Sequence, residues 1–198
     1  MEAPSADATG ELESAPTAPQ EPLADLRKIA RVAQVLIVVY TLTQLGLWLT
    51  GGTRTTVFRM AVPLLLLATV GSAIAFLVWF RRCRENAEIL APGTQKYSPG
   101  LAVGAWFIPV AMWWIPRRVA ADIVRASGVE GGTVLVNVWW GVWLVKTAGG
   151  LIAAWVTGQG GGYTVYDQVA GVIAAVLVVL LIQRITTAQA SSPKAFLV

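Results

Sequence analysis

Lys146 is the ionisable side chain in the most demanding position, because it lies deep in a long apolar run. It is the thirteenth of the 23 residues from Val134 to Val156. A lysine at the centre of a membrane-spanning helix costs about 2.5 to 3.5 kcal/mol on insertion scales, so it needs a partner or a wet cavity. Asp167 is predicted to lie too near the outer end of its own apolar run to be that partner. We expect Lys146 either to be functional or to cap a carbonyl or reach the interface for structural reasons alone.

Pro109 interrupts the apolar stretch from Leu101 to Ile115, which has 15 residues, whereas a membrane span needs about 20. We predict a re-entrant hairpin that turns at Pro109 or an interfacial segment that lies flat, with a fifth span as the remaining alternative. A helical leg that ends at Pro109 leaves backbone carbonyls free at the negative end of its dipole. Those carbonyls are the expected partner of Lys146.

Six arginines and one aspartate near the predicted spans form the second group of candidates. They are Arg81, Arg82, Arg84, Arg117, Arg118, Asp122 and Arg125. Guanidinium groups match the geometry of phosphate and carboxylate, so these residues are candidates for binding anionic headgroups or an acidic partner. The alternative is that they only fix the orientation of the chain in the membrane.

The sequence offers no catalytic, cofactor-binding or metal-ligating set. It contains no histidine and one cysteine, Cys83, which excludes imidazole-based sites and an intrachain disulfide. Glu85 and Glu88 each follow an arginine by four positions, which indicates surface ion pairs. We therefore predict no cofactor and no enzyme. An enzyme would require a closed polar pocket that holds Lys146 and at least one acid.

The composition indicates a membrane protein. Of the 198 residues 56% are hydrophobic and 13% are charged, against about 25% charged in soluble domains. Four apolar segments reach spanning length, at about residues 29–49, 57–80, 134–156 and 165–185. The predicted fold is an all-α polytopic bundle of four transmembrane helices over residues 26–187, with the segment 101–115 inserted between the second and third.

Two further helices are predicted outside the membrane. Residues 117–127 place Val119, Ile123 and Ala126 on one stripe, with Arg118, Asp122 and Arg125 on another at i,i+3 and i,i+4 spacing. The second span is predicted to continue as a helix to Leu90, where Ala-Pro-Gly ends it.

The tryptophans from position 106 to position 143 are attributed mainly to membrane interfaces rather than to a ligand pocket. They are Trp106, Trp113, Trp114, Trp139, Trp140 and Trp143.

Charge selects the number of spans. With four spans, one side receives twelve lysines and arginines and the other receives Arg54 and Arg59, whereas a fifth span gives seven on each side. The positive-inside rule favours four spans in a bacterial inner membrane, with both termini cytoplasmic. Residues 1–25 contain six acids and no Lys or Arg and are predicted to be a disordered tail. Residues 188–198 are predicted to be a short C-terminal tail.

The middle of the chain resembles a known family. The residues that carry the likeness are Asn86-Ala87, Tyr97-Ser98-Pro99-Gly100, Ala102-Val103-Gly104, Trp106-Phe107, Pro109, Ala111, Trp114, Pro116 and Arg118-Val119. This pattern is similar to the bacterial multi-pass membrane proteins grouped as domain of unknown function 4328. The resemblance implies a membrane fold and no particular activity. Such sequences commonly have Asn where this chain has Met112, so a polar role is not expected at that position.

Two functions follow from these features. The leading hypothesis is a non-enzymatic membrane interaction or scaffold protein, whose basic surface meets anionic lipid headgroups or an unknown protein partner. The surplus of positive charge beside the spans indicates lipid rather than nucleic acid. The third span carries small residues, among them Gly141, Gly149 and Gly150, that permit a homo-oligomer or an internal contact. The alternative is a small transporter or channel-like protein that uses Lys146 and the broken segment around Pro109.

Overall fold

A computed structural model describes residues 23–51, 55–157 and 164–192. The predicted acidic tail therefore lies outside the described residues except at its last positions. The glycine-rich connection 158–163 and residues 193–198 also lie outside the described residues.

The described residues form six α-helices and no β-strand. The helices are α1 (Arg27–Leu49), α2 (Thr56–Leu90), α3 (Pro99–Gly104), α4 (Ile115–Ala126), α5 (Gly132–Thr157) and α6 (Val165–Ala190), with a 3-10 turn at Ala111–Trp113. Four of them, α1, α2, α5 and α6, are long and apolar enough to cross a membrane. The predicted all-α membrane fold with four candidate spans is confirmed.

Local sequence signals set the helix ends. The hydroxyls of Thr55 and Ser98 accept hydrogen bonds from the first-turn N–H groups of α2 and α3, as N-cap residues do. Thr164 and Asp167 form a capping box at the start of α6. At the other end of α2, Gly93 has a positive φ of 72° just after Pro92, so the chain turns away after Leu90.

Helix α2 is longer than the membrane requires. Its 35 residues correspond to about 52 Å, whereas the hydrocarbon core is about 30 Å thick. The last turns therefore extend beyond the core, and both ion pairs predicted there are present, Arg81 with Glu85 at 2.9 Å and Arg84 with Glu88 at 3.0 Å.

The long helices are arranged around a central space. Helix α1 packs against α2 and α6, and α5 packs against α6. The gap between α5 and α2 is closed by α3 and α4, since α2 contacts both of these helices and α4 contacts α5. The inserted segment is therefore part of the bundle wall.

The inserted segment differs from the predicted hairpin, in which a helical leg ends at Pro109. Its first leg is α3, which has six residues and ends at Gly104, and its second is only the 3-10 turn Ala111–Trp113. Pro109 lies in the exposed bend between them, where its missing N–H is not needed by a helix. Helix α4 then begins with Pro116 in its first turn, and it buries Val119 and Ile123 as predicted.

A buried hydrogen-bond network joins the first and last described parts of the membrane domain. Asn86 on α2 accepts from the N–H of Ala24 at 2.9 Å and donates both to the carbonyl of Ala24 at 3.1 Å and to Gln189 Oε1 at 3.0 Å. Gln189 donates to the Cys83 carbonyl at 3.2 Å and to Ser127 Oγ at 2.9 Å. We call this group of five residues the closing network, and the end of the bundle that holds it the network end.

The closing network includes residues on both sides of the predicted membrane domain, residues 26–187. Ala24 lies in the predicted tail 1–25, and its backbone is bonded to Asn86 beside the buried Leu26. Gln189 lies in the predicted C-terminal tail, and it is 2% exposed in α6, which continues to Ala190. Hydropathy could not predict that either residue belongs to the membrane domain. Polar residues that form hydrogen bonds with one another inside a fold have the same hydropathy as exposed polar residues.

Candidate functional site

A cavity of about 360 Å³ lies between the long helices. Its polar lining combines hydroxyl, amide and charged groups from all four: Tyr40, Thr41, Gln44, Thr69, Ser72, Lys146, Thr147, Asp167 and Gln168. Its aromatic lining is Phe76, Trp106, Trp139 and Trp143. We call this space the central cavity. Its size lies within the usual range for small-molecule pockets, about 300 to 1,000 Å³.

Lys146 extends across the central cavity from α5 toward α6. A methyl group on Gly171 of α6 would lie 3.3 Å from Lys146 Cε, so the absence of a side chain at Gly171 leaves room for the lysine stem. Among the described residues, Lys146 makes no hydrogen bond and no ion pair within 4.0 Å. Its ammonium group therefore has no partner in the part of the chain that the structure describes.

Asp167 lines the same cavity but lies in the first turn of α6 and forms no ion pair with Lys146, in line with the prediction that it is not the partner of Lys146. It precedes Gly171 by four residues, which is about one helical turn or 6 Å. The carboxylate is 4% exposed and Oδ2 accepts a hydrogen bond from Thr164 Oγ1 at 2.6 Å. Asp167 thus belongs first to the cap of α6 and adds negative potential to one side of the cavity.

The expected contact between Lys146 and the carbonyls near Pro109 is not found in the described part of the chain. Pro109 is exposed, and none of residues 107–110 lines the central cavity. The short α3 ends five residues before Pro109, so the freed carbonyls are not directed at α5.

Two buried polar atoms in the cavity wall have no hydrogen-bond partner within the described residues: Gln44 Oε1 and Trp106 Nε1. The amide nitrogen of Gln44 donates to the Tyr40 hydroxyl at 2.9 Å, which leaves its oxygen unused. The Trp106 ring meets Phe76 and Trp143 nearly at right angles, an arrangement in which N–H groups gain weak contacts with ring faces. A buried acceptor without a donor costs about 1 to 3 kcal/mol.

The aromatic wall is assembled around Trp106, which follows α3. Its ring centroid lies 5.6 Å from Phe76 on α2 and 5.8 Å from Trp140 and 5.9 Å from Trp143 on α5. The interface interpretation of these tryptophans is therefore wrong for Trp106 and Trp140, which pack inside the bundle. The membrane-interface interpretation is compatible with Trp114, whose ring is exposed.

The arginines of α2 have different environments. Arg84 is 4% exposed, and its Nε donates to the carbonyl of Tyr97 at 2.7 Å, so it fastens the loop before α3 to α2. Arg81 and Arg82 are exposed on the surface. Arg84 is thus a structural residue, which its spacing from Glu88 alone did not reveal.

The other arginines line a cleft between α4 and α5 with a volume of about 410 Å³. We call it the basic cleft; it is lined by Lys96, Arg117, Arg118, Ala121, Asp122, Arg125, Thr133 and Asn137. Arg125 pairs with Asp122 as predicted. Arg118 instead donates to the Tyr97 hydroxyl at 3.3 Å, and Arg117 donates to Asn137 at 3.0 Å. Arg81 and Arg82 do not line this cleft, so the six arginines do not form one surface.

The central cavity holds both Lys146 and an acid, Asp167, and its other polar groups are hydroxyls and amides. Within the described ranges, no group of three or more His, Cys, Asp or Glu side chains could hold a metal ion. Cys83 is fully buried. The central cavity offers one cation, several hydroxyl and amide groups and stacked rings, and these suit an amphipathic molecule.

The comparisons with known proteins decide the family. The model of a domain of unknown function, DUF4328, matches residues 50–187. This chain belongs to the DUF4328 family. No curated protein and no solved structure matches it. The DUF4328 match begins after α1, although Tyr40, Thr41 and Gln44 of α1 complete the central cavity.

Proposed function

We propose that this DUF4328 protein is a non-enzymatic binding protein of the membrane, transporter-like or channel-like, that takes an amphipathic anion into the central cavity. The observation that supports it is Lys146, which lines the cavity and has no hydrogen-bond or ion-pair partner among the described residues. An uncompensated cation in a membrane helix is costly, which favours a role for it.

The cavity lining narrows the class of ligand. A carboxylate or phosphate group suits Lys146 and the hydroxyl of the adjacent Thr147, which also lines the cavity. A flat or aliphatic body suits the rings of Trp106 and Trp143. The Asp167 carboxylate at one side disfavours a ligand with a second anionic group. We therefore infer a small monoanion with an apolar body.

The test uses two carboxylates and their uncharged amides as probes: benzoate with benzamide, and octanoate with octanamide. Binding to the full-length protein in mild detergent is measured by tryptophan emission, because three tryptophans line the cavity, and by native mass spectrometry. A charge-assisted hydrogen bond contributes about 1.5 to 3 kcal/mol, so we expect a carboxylate to bind at least about tenfold more tightly than its amide.

Two variants of Lys146 complete the test. Lys146→Arg should keep the preference for carboxylate, and Lys146→Met should abolish it. The proposal fails if none of the four probes binds at millimolar concentration, or if Lys146→Met keeps the preference.

The basic cleft supports a second function, that of a membrane interaction or scaffold protein. Four cations line it against a single acid, Asp122, so it suits anionic headgroups or an acidic segment of a partner. Crosslinking and co-purification in mild detergent should then recover an oligomer or a partner. The double variant Arg117→Gln with Arg125→Gln should no longer form that oligomer or bind that partner, whereas Arg81→Gln should keep the interaction. Recovery of the monomer alone would count against this function.

We place the network end on the cytoplasmic side of a bacterial inner membrane. The support is the charge count, with twelve lysines and arginines assigned to that side and two to the other. Labelling of cysteines introduced at Lys96 and at Arg59 should come from opposite sides, with Lys96 inside. Labelling of both from the same side would reject this orientation.

A further inference from the structure

A second, larger space lies on the outside of the bundle, between α1 and α6. Its volume is about 860 Å³. It shares no lining residue with the central cavity or with the basic cleft, so it is a third and separate site. Nothing argued above for Lys146 or for the basic cleft depends on it.

The lining of this groove changes from polar to apolar along the helices. At the network end α1 contributes Arg27 and Arg31, α6 contributes Thr187, and Ser191 follows directly after α6. Further along, α1 contributes Val35, Val38 and Val39, opposite Val179 of α6. Gln34 lies between the two parts and donates to the carbonyl of Val179 at 3.1 Å, which fixes the two helices against each other.

The length of the groove matches one leaflet of a bilayer. Arg27 and Val38 are eleven residues apart on α1, which corresponds to about 16 Å at 1.5 Å per residue. Half of a hydrocarbon core about 30 Å thick is about 15 Å. A molecule held by the arginines would therefore extend its apolar part to about the middle of the membrane.

The polar end of the groove carries two cations, and the carboxylate of Asp25, just before α1, accepts a hydrogen bond from the backbone N–H of Arg27 at 2.9 Å. Arg27 and Arg31 are one helical turn apart and exposed, and like charges at this spacing repel each other. No acidic side chain lines the groove, and neither guanidinium group forms an ion pair within the described residues. A phosphate between the two guanidinium groups would relieve the repulsion and form charge-assisted hydrogen bonds.

We propose that the groove between α1 and α6 is a binding site for one anionic phospholipid, with its phosphate on Arg27 and Arg31 and one acyl chain along Val35, Val38 and Val179. A phospholipid requires two adjacent cations at the polar end of a groove that is about one leaflet long and apolar over its inner part. A peptide segment or a free phosphate would use only the polar part.

The experiment measures bound lipid on the full-length protein by native mass spectrometry, after exchange into nanodiscs of phosphatidylcholine with increasing phosphatidylglycerol. The wild-type protein should retain one phosphatidylglycerol in preference to phosphatidylcholine. Arg27→Gln with Arg31→Gln should reduce that preference about tenfold or more, since at least one charge-assisted contact is lost. The matched control, Arg81→Gln with Arg82→Gln, removes two exposed arginines outside the groove and should change nothing.

Val38→Trp separates the lipid from other occupants, because it fills the apolar part and leaves both arginines in place. It should also lose the bound lipid. If Val38→Trp binds phosphatidylglycerol normally, the arginines hold only a headgroup or free phosphate, and the proposal fails. It also fails if the double arginine variant keeps the preference, or if that variant changes the oligomeric state without changing the lipid count.

The acidic residues that precede α1 are the remaining competitor. Replacement of Glu11, Glu13 and Glu21 by Gln in the full-length chain should leave lipid retention unchanged. If lipid is retained only after this replacement, the acidic segment is the occupant of the groove and the proposal is wrong.

Discussion

The closing network and the central cavity are both polar regions inside an apolar bundle, but they satisfy their polar groups differently. In the closing network, the side-chain amides of Asn86 and Gln189 bond to each other and to backbone or hydroxyl groups. In the central cavity, Lys146 and the oxygen of Gln44 have no partner among the described residues. A satisfied buried network rigidifies a fold, whereas an unsatisfied one has a free-energy cost that a ligand can recover. The contrast separates a structural region from a candidate binding region.

The largest effect should come from breaking the closing network. Asn86→Ala removes three hydrogen bonds and leaves Gln189 Oε1 and the backbone of Ala24 unpaired, at about 1 to 3 kcal/mol for each buried group. We expect a loss of about 3 kcal/mol in the free energy of unfolding, measured by SDS titration in mild detergent. The control, Asn137→Ala, removes one bond to Arg117 on an exposed residue. Equal losses in the two variants would mean that the network does not stabilise the fold.

The next effect should have the opposite sign and come from the central cavity. Lys146→Met removes a charge from the membrane interior and should raise the unfolding free energy by up to about 3 kcal/mol, while it abolishes the preference for carboxylate probes. The thermal unfolding midpoint and the binding assay measure the two changes on the same sample. The control variant Lys96→Met, at the surface, should not raise the unfolding free energy. A drop in stability in Lys146→Met would show that the lysine has a structural partner after all.

A smaller effect should come from the contact between α5 and α6 beside the cavity. A Cβ at Gly149 would lie 2.7 Å from the hydroxyl of Tyr166, so Gly149→Ala should destabilise by about 1 to 3 kcal/mol through overpacking. A Cβ at Gly141 on the same helix meets nothing within 4 Å, so Gly141→Ala should be neutral or should stabilise by up to about 1 kcal/mol. The difference in thermal midpoint between the two variants checks this contact. Similar midpoints in Gly149→Ala and Gly141→Ala would mean that α5 and α6 do not approach each other closely at Gly149.

The smallest expected effect on structure comes from cysteine substitutions, which test whether water reaches the central cavity and the closing network. Cys83 is fully buried in the closing network and should not react with a charged thiol reagent. Thr147→Cys, in a chain with Cys83→Ser, should react because it lines the central cavity. Val145→Cys, which is directed outward, serves as the control in the lipid-facing surface. Reaction of Cys83 at the rate of Thr147→Cys would remove the distinction between the two regions.

Features set by local spacing could be predicted from the sequence. The four long apolar helices, the extension of α2 to Leu90 and the ion pairs of Arg81 and Arg84 all depend on residues within a few turns of one another. The apolar stripe of α4 has the same origin, since Val119 and Ile123 lie one turn apart.

Features set by contacts between distant segments could not be predicted. The position of Asp167 near Lys146 depends on how α5 and α6 align across the connection 158–163, and hydropathy carries no information about that alignment. The insertion of Trp106 between α2 and α5 likewise requires knowledge of where α3 packs. Arg84 looked like a surface arginine because its bond to the Tyr97 carbonyl spans a loop.

The closing network has a consequence for the order in which the protein is assembled. Asn86 bonds to Ala24, 62 positions before it, and to Gln189, 103 positions after it. During synthesis Asn86 can meet Ala24 as soon as α1 and α2 have been inserted, but its other partner, Gln189, is made 103 residues later. A truncated chain therefore keeps an unpaired amide at a helix interface. The network can therefore close only after α6 has been synthesised through Gln189.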